Sequence, residues 1–128
     1  MAPLAQHSAG RPIVVVADDD DAVLNSIKFS LEIEGFAVLT FADGQTMLDG
    51  IDKTRCACIV LDQNMPGLTG IAAATKLRQQ GVATPVILIT TGPSEDLRTA
   101  ARQRKIQVVE KPLLGNQLID SIHRAIGQ

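Results

Sequence analysis

Five short aliphatic runs, spaced along the chain with helical segments between them, constrain the fold more than any other feature. They occupy residues 13–17, 37–41, 58–61, 86–89 and 107–109. Most are almost continuously apolar, which is the pattern of strands covered on both faces. The intervening segments are too long for hairpins, so the pattern predicts strands that run parallel.

Helical periodicity fills the gaps between the runs. Val23, Ile27 and Leu31 recur every four residues, and Gly35 is placed to end that helix. The four later helices are marked by Met47, Leu48 and Ile51, by Ile71, Ala74 and Leu77, by Leu97, Ala100 and Ala101, and by Leu118, Ile119, Ile122 and Ile126. The order is therefore βα repeated five times, which predicts an α/β three-layer sandwich with right-handed crossovers. By analogy with flavodoxin-like doubly wound folds, we expect the strand order 2-1-3-4-5.

Length and composition favour one domain in a reducing compartment. The chain has 128 residues, for which we expect a flexible tail over 1–10 and a single domain over 11–128. Its net charge of -2 provides no overall basic field for nucleic acid or an anionic membrane. No apolar run approaches the roughly 20 residues of a membrane span. Cys56 and Cys58 are spaced too closely for a comfortable bridge, so we expect free thiols and a cytoplasmic location.

Polar residues follow four of the five predicted strands. Asp18 and Asp19 begin an acidic run after the first strand, and Asp62 follows the third. Thr90 follows the fourth strand and Lys111 the fifth. Ligands of open parallel sheets bind beyond the carboxyl ends of the strands, so these side chains are predicted to converge on one site.

The acidic residues predict a cation site. Two carboxylates about 4 Å apart repel by roughly 4 kcal/mol at an effective dielectric near 20, so three in one pocket need a cation. Oxygen ligands favour a hard divalent ion, for which Mg²⁺ is the best candidate. The alternative is a solvated helix cap, since Asp is favoured at helix starts. We accept that alternative for Asp20 or Asp21 and favour the metal for Asp18 and Asp19.

Asp62 enters a Pro66-Gly67 turn, where a carboxylate beside a metal could attack phosphorus and form an acyl phosphate. Taken alone, it could equally be an ordinary turn-capping Asp. Thr90 and Lys111 could bind the phosphoryl oxygens, although both are common residues. The Lys111-Pro112 bond can be cis, which would direct the Lys side chain at the pocket.

Together these motifs resemble the receiver domains of response regulators in bacterial two-component signalling. The resemblance rests on Asp18-Asp19, the segment 60–67 (VLDQNMPG), Thr90 after the fourth strand, and Lys111-Pro112. It implies that Asp62 is the phosphoacceptor and that Asp18, Asp19, Asp62 and the backbone carbonyl of Asn64 bind Mg²⁺. It also implies that Thr90 is the switch hydroxyl and Lys111 the phosphate-pairing cation.

The same resemblance implies partners and a mechanism. The donor would be a phosphohistidine on a sensor histidine kinase or a phosphotransfer protein. Phosphorylation adds about -1.5 to -2 charge and would repack the fourth helix, fifth strand and fifth helix, where an output partner or a second copy docks. We expect no DNA-binding domain in this chain, no membrane contact, and no enzymatic activity beyond slow self-dephosphorylation.

Some residues depart from the family pattern. Val108 replaces a usual aromatic, Leu113 replaces a commoner Phe, and residues 103–106 lack the usual Gly-Ala. The predicted fourth helix is also unusually basic; we interpret this first as a solvated face and second as a docking surface for an acidic partner. Its cations are Arg98, Arg102, Arg104 and Lys105.

Two other functions stay open at this point. An aspartate-nucleophile phosphohydrolase would use Asp19 and Asp21, with Val23 completing its D-x-D-x-[TV] start, but it needs an acidic pair downstream of Lys111 that the sequence lacks. The departures at Val108 and Leu113 suggest the second alternative, a receiver-like interaction module whose partner binding does not depend on phosphorylation.

Overall fold

A computed structural model describes residues 10–52 and 55–127, in which strands and helices alternate strictly. The strands are β1 (Ile13–Ala17), β2 (Ala37–Phe41), β3 (Cys56–Asp62), β4 (Val86–Thr90) and β5 (Ile106–Glu110). The helices are α1 (Asp21–Ile33), α2 (Gly44–Gly50), α3 (Gly70–Gln79), α4 (Glu95–Gln103) and α5 (Gln117–Ala125). The predicted tail over 1–10 lies outside the described residues except for Gly10.

The strands form one parallel sheet in the order β2-β1-β3-β4-β5. The predicted fold and strand order are therefore confirmed. The three central strands are buried along nearly their whole length, whereas the edge strand β2 is partly exposed. This explains why the central runs are the most apolar in the sequence.

Helices cover both faces of the sheet. On one face α1 and α5 bury Leu24, Ile27, Leu31, Leu118 and Ile122 against alternate strand residues. On the other face α2, α3 and α4 contribute a second apolar layer with smaller helix residues, including Ala73, Ala74 and Ala101. The three layers leave the carboxyl ends of the strands free to carry polar side chains.

Several element ends differ from the sequence prediction. Strand β3 starts at Cys56 and includes Asp62, and β4 includes Thr90, because backbone pairing continues past the last apolar side chain. The placement of Arg104 and Lys105 on the fourth helix was wrong, since α4 ends at Gln103. Lys105 has a left-handed φ of 56°, which is incompatible with continuing a right-handed helix.

Across residues 10–52 and 55–127, every helix is too short or too polar to cross a bilayer.

Candidate functional site

Asp18 and Asp19 lie where β1 turns into α1. The side chain of Asp18 is buried, and its Oδ1 accepts a hydrogen bond of 2.9 Å from the backbone N–H of Asp20. Asp20 in turn caps α1, since its Oδ1 accepts from the N–H groups of Ala22 and Val23. The prediction of a helix cap at Asp20 is confirmed, and this cap leaves Asp18 and Asp19 to face the end of the sheet.

Asp62 is the last residue of the central strand β3 and is only 3% exposed. Its Oδ2 accepts a hydrogen bond of 3.0 Å from the backbone N–H of Asn64. Its Oδ1 is buried and lies 2.6 Å from Nζ of Lys111, with which it forms an ion pair. One oxygen is therefore fixed by the loop, and the other contacts a cation that can move.

Asp18, Asp19 and Asp62 form a cluster in which one carboxylate oxygen from each lies within 4.8 Å of the others. Burial raises the pKa of Asp18; the hydrogen bond from Asp20 opposes this rise, and the charge of Asp62 adds to it. Burial alone would lower the pKa of Lys111, but its contact with Asp62 and the charges of Asp18 and Asp19 outweigh burial and raise it. The ammonium is therefore held in its charged form by the acidic cluster.

Thr90 and Lys111 come from the two neighbouring strand ends. Register pairs Asp62 with Ile89, so Thr90 lies one position further along the same edge and is buried. The backbone N–H of Lys111 donates to the carbonyl of Thr90 at 2.8 Å. The Lys111–Pro112 peptide is cis. An open depression of about 480 Å³, lined in part by Thr91 and Lys111, lies beside the cluster.

Two residues that the sequence prediction missed fix the loop after Asp62. The Oε1 of Gln63 accepts a hydrogen bond of 2.8 Å from the backbone N–H of Ile71, in the first turn of α3. Gly70 packs so closely that a Cβ there would lie 2.6 Å from the carbonyl oxygen of Asp62. The signal for Gly70 was a glycine at a predicted helix start, but nothing in the sequence predicts the partner of Gln63.

The structure thus brings Asp18, Asp19, Asp62 and Lys111 into one cluster, with Asn64 and Thr90 beside it. Asp21 does not join the cluster; it is exposed in the first turn of α1. A phosphohydrolase site built on Asp19 and Asp21 therefore lacks one of its two carboxylates.

Comparison with known proteins identifies the class to which this fold and site belong. The family model described as "Response regulator receiver domain" matches residues 14–123. The chain belongs to the response-regulator receiver family of two-component signalling, as the resemblance in the sequence implied.

Individual relatives agree with this class. The transcriptional regulatory protein FixJ of Bradyrhizobium diazoefficiens is 33% identical over 90% of this chain and 57% of its own length. The transcriptional regulatory protein PrrA of Mycobacterium leprae is 42% identical over 70% of this chain and 38% of its own. The chain thus spans about half the length, or less, of these curated relatives.

Solved structures also share the fold. The chemotaxis protein CheY4 of Vibrio cholerae superposes with a TM-score of 0.82 at 26% identity, covering 90% of this chain and 98% of that one. The response regulator StyR superposes with a TM-score of 0.85 at 29% identity, covering 91% of this chain and 60% of that one.

Proposed function

We propose that this receiver accepts a phosphoryl group from a phosphohistidine onto Asp62 and thereby switches its affinity for a partner. The observation that carries the proposal is the placement of Asp62 at the centre of the sheet, between two further carboxylates and 2.6 Å from the ammonium of Lys111. Such a site concentrates negative charge, and the ammonium of Lys111 is available to pair with the additional negative charge of a phosphoryl group. This is the arrangement that an acyl phosphate requires.

In the proposed reaction a carboxylate oxygen of Asp62 attacks phosphorus in line with the donor's P–N bond. The new P–O bond forms as the P–N bond breaks, and the donor imidazole nitrogen leaves with the electron pair. Lys111 leaves Oδ1 and pairs with the phosphoryl oxygens, since they carry the greater charge. Thr90 donates its hydroxyl to the same group. The chain is then a phosphoryl acceptor that loses the group slowly by hydrolysis, not an enzyme acting on a separate substrate.

The acidic cluster fits a hard divalent ion. Asp18, Asp19 and Asp62 offer oxygens within 4.8 Å of one another, and the side chains of Asp18 and Asp62 are buried. Oxygen-only ligands of this kind suit Mg²⁺. We assign the ion to these three carboxylates and the backbone carbonyl of Asn64. When bound, Mg²⁺ would neutralise charge on the phosphoryl oxygens.

The proposed partners follow the family. A sensor histidine kinase or a phosphotransfer protein donates the phosphoryl group, and the α4-β5-α5 face contacts an output partner or a second copy. Arg98 on α4 pairs with Glu110 at the end of β5, next to Lys111, which links this face to the site. The free thiols of Cys56 and Cys58 support a location in the cytoplasm.

Intact mass after incubation with acetyl phosphate and Mg²⁺ tests the proposal. The wild type should gain the mass of one phosphoryl group, and Asp62→Asn should gain none. Asp120→Asn is the matched control, because Asp120 is an exposed carboxylate on α5 far along the chain from the cluster. Label retained by Asp62→Asn, especially on Asp19, would contradict the assignment and favour the phosphohydrolase chemistry.

A second candidate is a receiver whose partner binding ignores phosphorylation. It is favoured by Val108, a half-buried aliphatic side chain that packs in the layer with α4 where the family usually has an aromatic. Affinity for the partner, or self-association, measured with and without beryllofluoride separates the two. An unchanged value would establish the module and exclude the switch.

A further inference from the structure

A basic groove lies at the amino-terminal ends of the strands, at the edge of the sheet opposite the acidic cluster. Helices α3 and α4 run antiparallel to the strands, so their C-terminal ends meet at this edge. Two adjoining depressions of about 580 and 410 Å³ share Arg78, Gln103 and Arg104 in their walls. Lys105 completes the larger one, and none of the described residues lining either depression is acidic.

Arg78 builds the rigid wall of this groove. Its guanidinium donates to the carbonyl oxygens of Val82 and Thr84 at 2.8 Å and of Arg104 at 2.9 Å, with a longer bond of 3.3 Å to Lys105. These bonds hold the α4–β5 turn against the end of α3. Arg78 therefore contributes charge and shape, while four of its five N–H donors are already used.

Lys105 is exposed, and Arg104 is half-buried with its Nη1 donating to the carbonyl of Ala100 at 3.0 Å, so these two residues carry the charge that a ligand could reach. They occupy the turn where the family usually has Gly-Ala, and Lys105 holds a left-handed backbone that a lysine adopts only at a cost. Lys76 and Arg102 lie in the last turns of α3 and α4, at the same end of the molecule. The acids of α4, Glu95 and Asp96, are in its first turn, at the other end.

We propose that this groove binds an acidic peptide segment of a partner protein, a run of Asp and Glu residues with an apolar neighbour. The charge is complementary, and the remaining walls suit a peptide: Gln79 and Gln103 can bond its backbone, and Val82 and Pro85 offer apolar contact. The net charge of -2 disfavours a long polyanion such as nucleic acid. Since charges are screened beyond about 8 Å at physiological salt, a short acidic segment meets mainly the local cations.

Fluorescence anisotropy of labelled hexaglutamate, with hexaglutamine as the neutral probe, tests the proposal on the full chain. Hexaglutamate should bind, and its affinity should fall as salt is raised. Arg104→Gln/Lys105→Asn should weaken binding about five- to tenfold. Lys28→Gln, which removes one cation from α1, should change it less than about twofold. Lys105→Asn alone provides a second variant, because Asn tolerates a left-handed backbone.

Three outcomes overturn the proposal. The first is that hexaglutamate binds no tighter than hexaglutamine, and the second is that the groove variants lose no more affinity than Lys28→Gln. The third is that an oligothymidylate of equal charge binds more tightly and loses affinity in the same variants, which would assign the groove to nucleic acid. The proposal is independent of the chemistry at Asp62. Asp62→Asn should bind hexaglutamate like the wild type, and Arg104→Gln/Lys105→Asn should still be labelled by acetyl phosphate.

Discussion

Lys111 Nζ lies 2.6 Å from Oδ1 of Asp62 and is the cation that contacts this buried carboxylate. Asp62 is the last residue of β3 and Lys111 directly follows β5, and these two strands are separated in the sheet by β4. The pair therefore joins three strand ends across the site. The Lys111 side chain is 31% exposed and that of Asp62 is 4% exposed, so the ammonium can move while the carboxylate stays fixed.

Replacing Lys111 by Met should destabilise the metal-free protein by about 1–2 kcal/mol, a value reduced from that of a fully buried pair because the Lys is partly exposed. The loss arises because the carboxylate of Asp62 would lie beside that of Asp18 without the ammonium that contacts it. In Asp62→Asn the same Lys111→Met change should cost much less, giving a coupling energy of about 1 kcal/mol. Urea unfolding of the four proteins in chelator measures the cycle, and additive effects would show that the pair is not coupled.

Asp18→Asn should stabilise the protein when no divalent ion is present. Carboxylate oxygens of Asp18, Asp19 and Asp62 lie within 4.8 Å, and each such pair repels by about 3 kcal/mol at an effective dielectric near 20. The raised pKa of Asp18 agrees with this expectation, because it means that the ionised form is disfavoured in the folded state. Removing the charge should raise the melting temperature in EDTA by a few degrees.

Mg²⁺ should reverse the order of the melting temperatures of the wild type and Asp18→Asn. An ion that binds only the folded state raises its stability, so the melting temperature of the wild type should rise with Mg²⁺ and that of Asp18→Asn should rise far less. Asp120→Asn, outside the cluster, should respond like the wild type. Equal responses in all three proteins would remove Asp18 from the metal site.

The fold and the acidic cluster were predictable because both depend on patterns that repeat or coincide along the chain. Five apolar runs determine five strands, and parallel strands bring their carboxyl ends to one edge. Since Asp18, Asp62 and Lys111 follow three of these runs, the expected strand order is enough to bring them together. The strand order came from analogy, since periodicity does not distinguish which strands are neighbours.

Other features were not predictable because they depend on contacts between specific side chains and distant backbone. Gln63 is a polar residue at a strand end, and its bond to the N–H of Ile71 exists only once α3 packs beside that strand. Arg78 looks like an ordinary cation in the last turn of a helix until its four carbonyl partners are known. The end of α4 was misplaced because Arg104 and Lys105 have good helix propensity, which the tertiary structure overrides.

Gly70→Ala should destabilise the protein by about 2–4 kcal/mol and reduce phosphoryl acceptance. A Cβ at this position would lie 2.5 Å from Cδ1 of Leu88 and 2.6 Å from the carbonyl oxygen of Asp62. Shortening the side chain of Leu88 by substitution would remove the first contact, but no substitution removes the backbone carbonyl of Asp62. We therefore expect Leu88→Ala to fail to rescue Gly70→Ala, as judged by urea unfolding and by labelling with acetyl phosphate.

A matched control separates this steric effect from the loss of glycine itself. At Gly67 a Cβ would meet no atom within 4 Å, but φ is +78°, so Ala there should cost only about 1–2 kcal/mol of backbone strain. If the two variants lost equal stability, close packing of α3 on Asp62 would not be the cause.

Cys58 should make the wild type lose stability in alkali. Burial raises the pKa of this thiol from 9.0 to about 12 in the folded protein. Between these values the unfolded chain releases the proton and the folded chain keeps it, so rising pH favours unfolding by at most about 1.4 kcal/mol per pH unit. Below pH 9 the thiol is protonated in both states and has no effect. Cys58→Val, which fits a buried strand, should remove this contribution, and unfolding free energies at pH 8, 9 and 10 measure it. The wild type should fall more steeply than the variant above pH 9, whereas parallel curves would mean that the Cys58 thiol ionises as readily in the folded protein as in the unfolded chain.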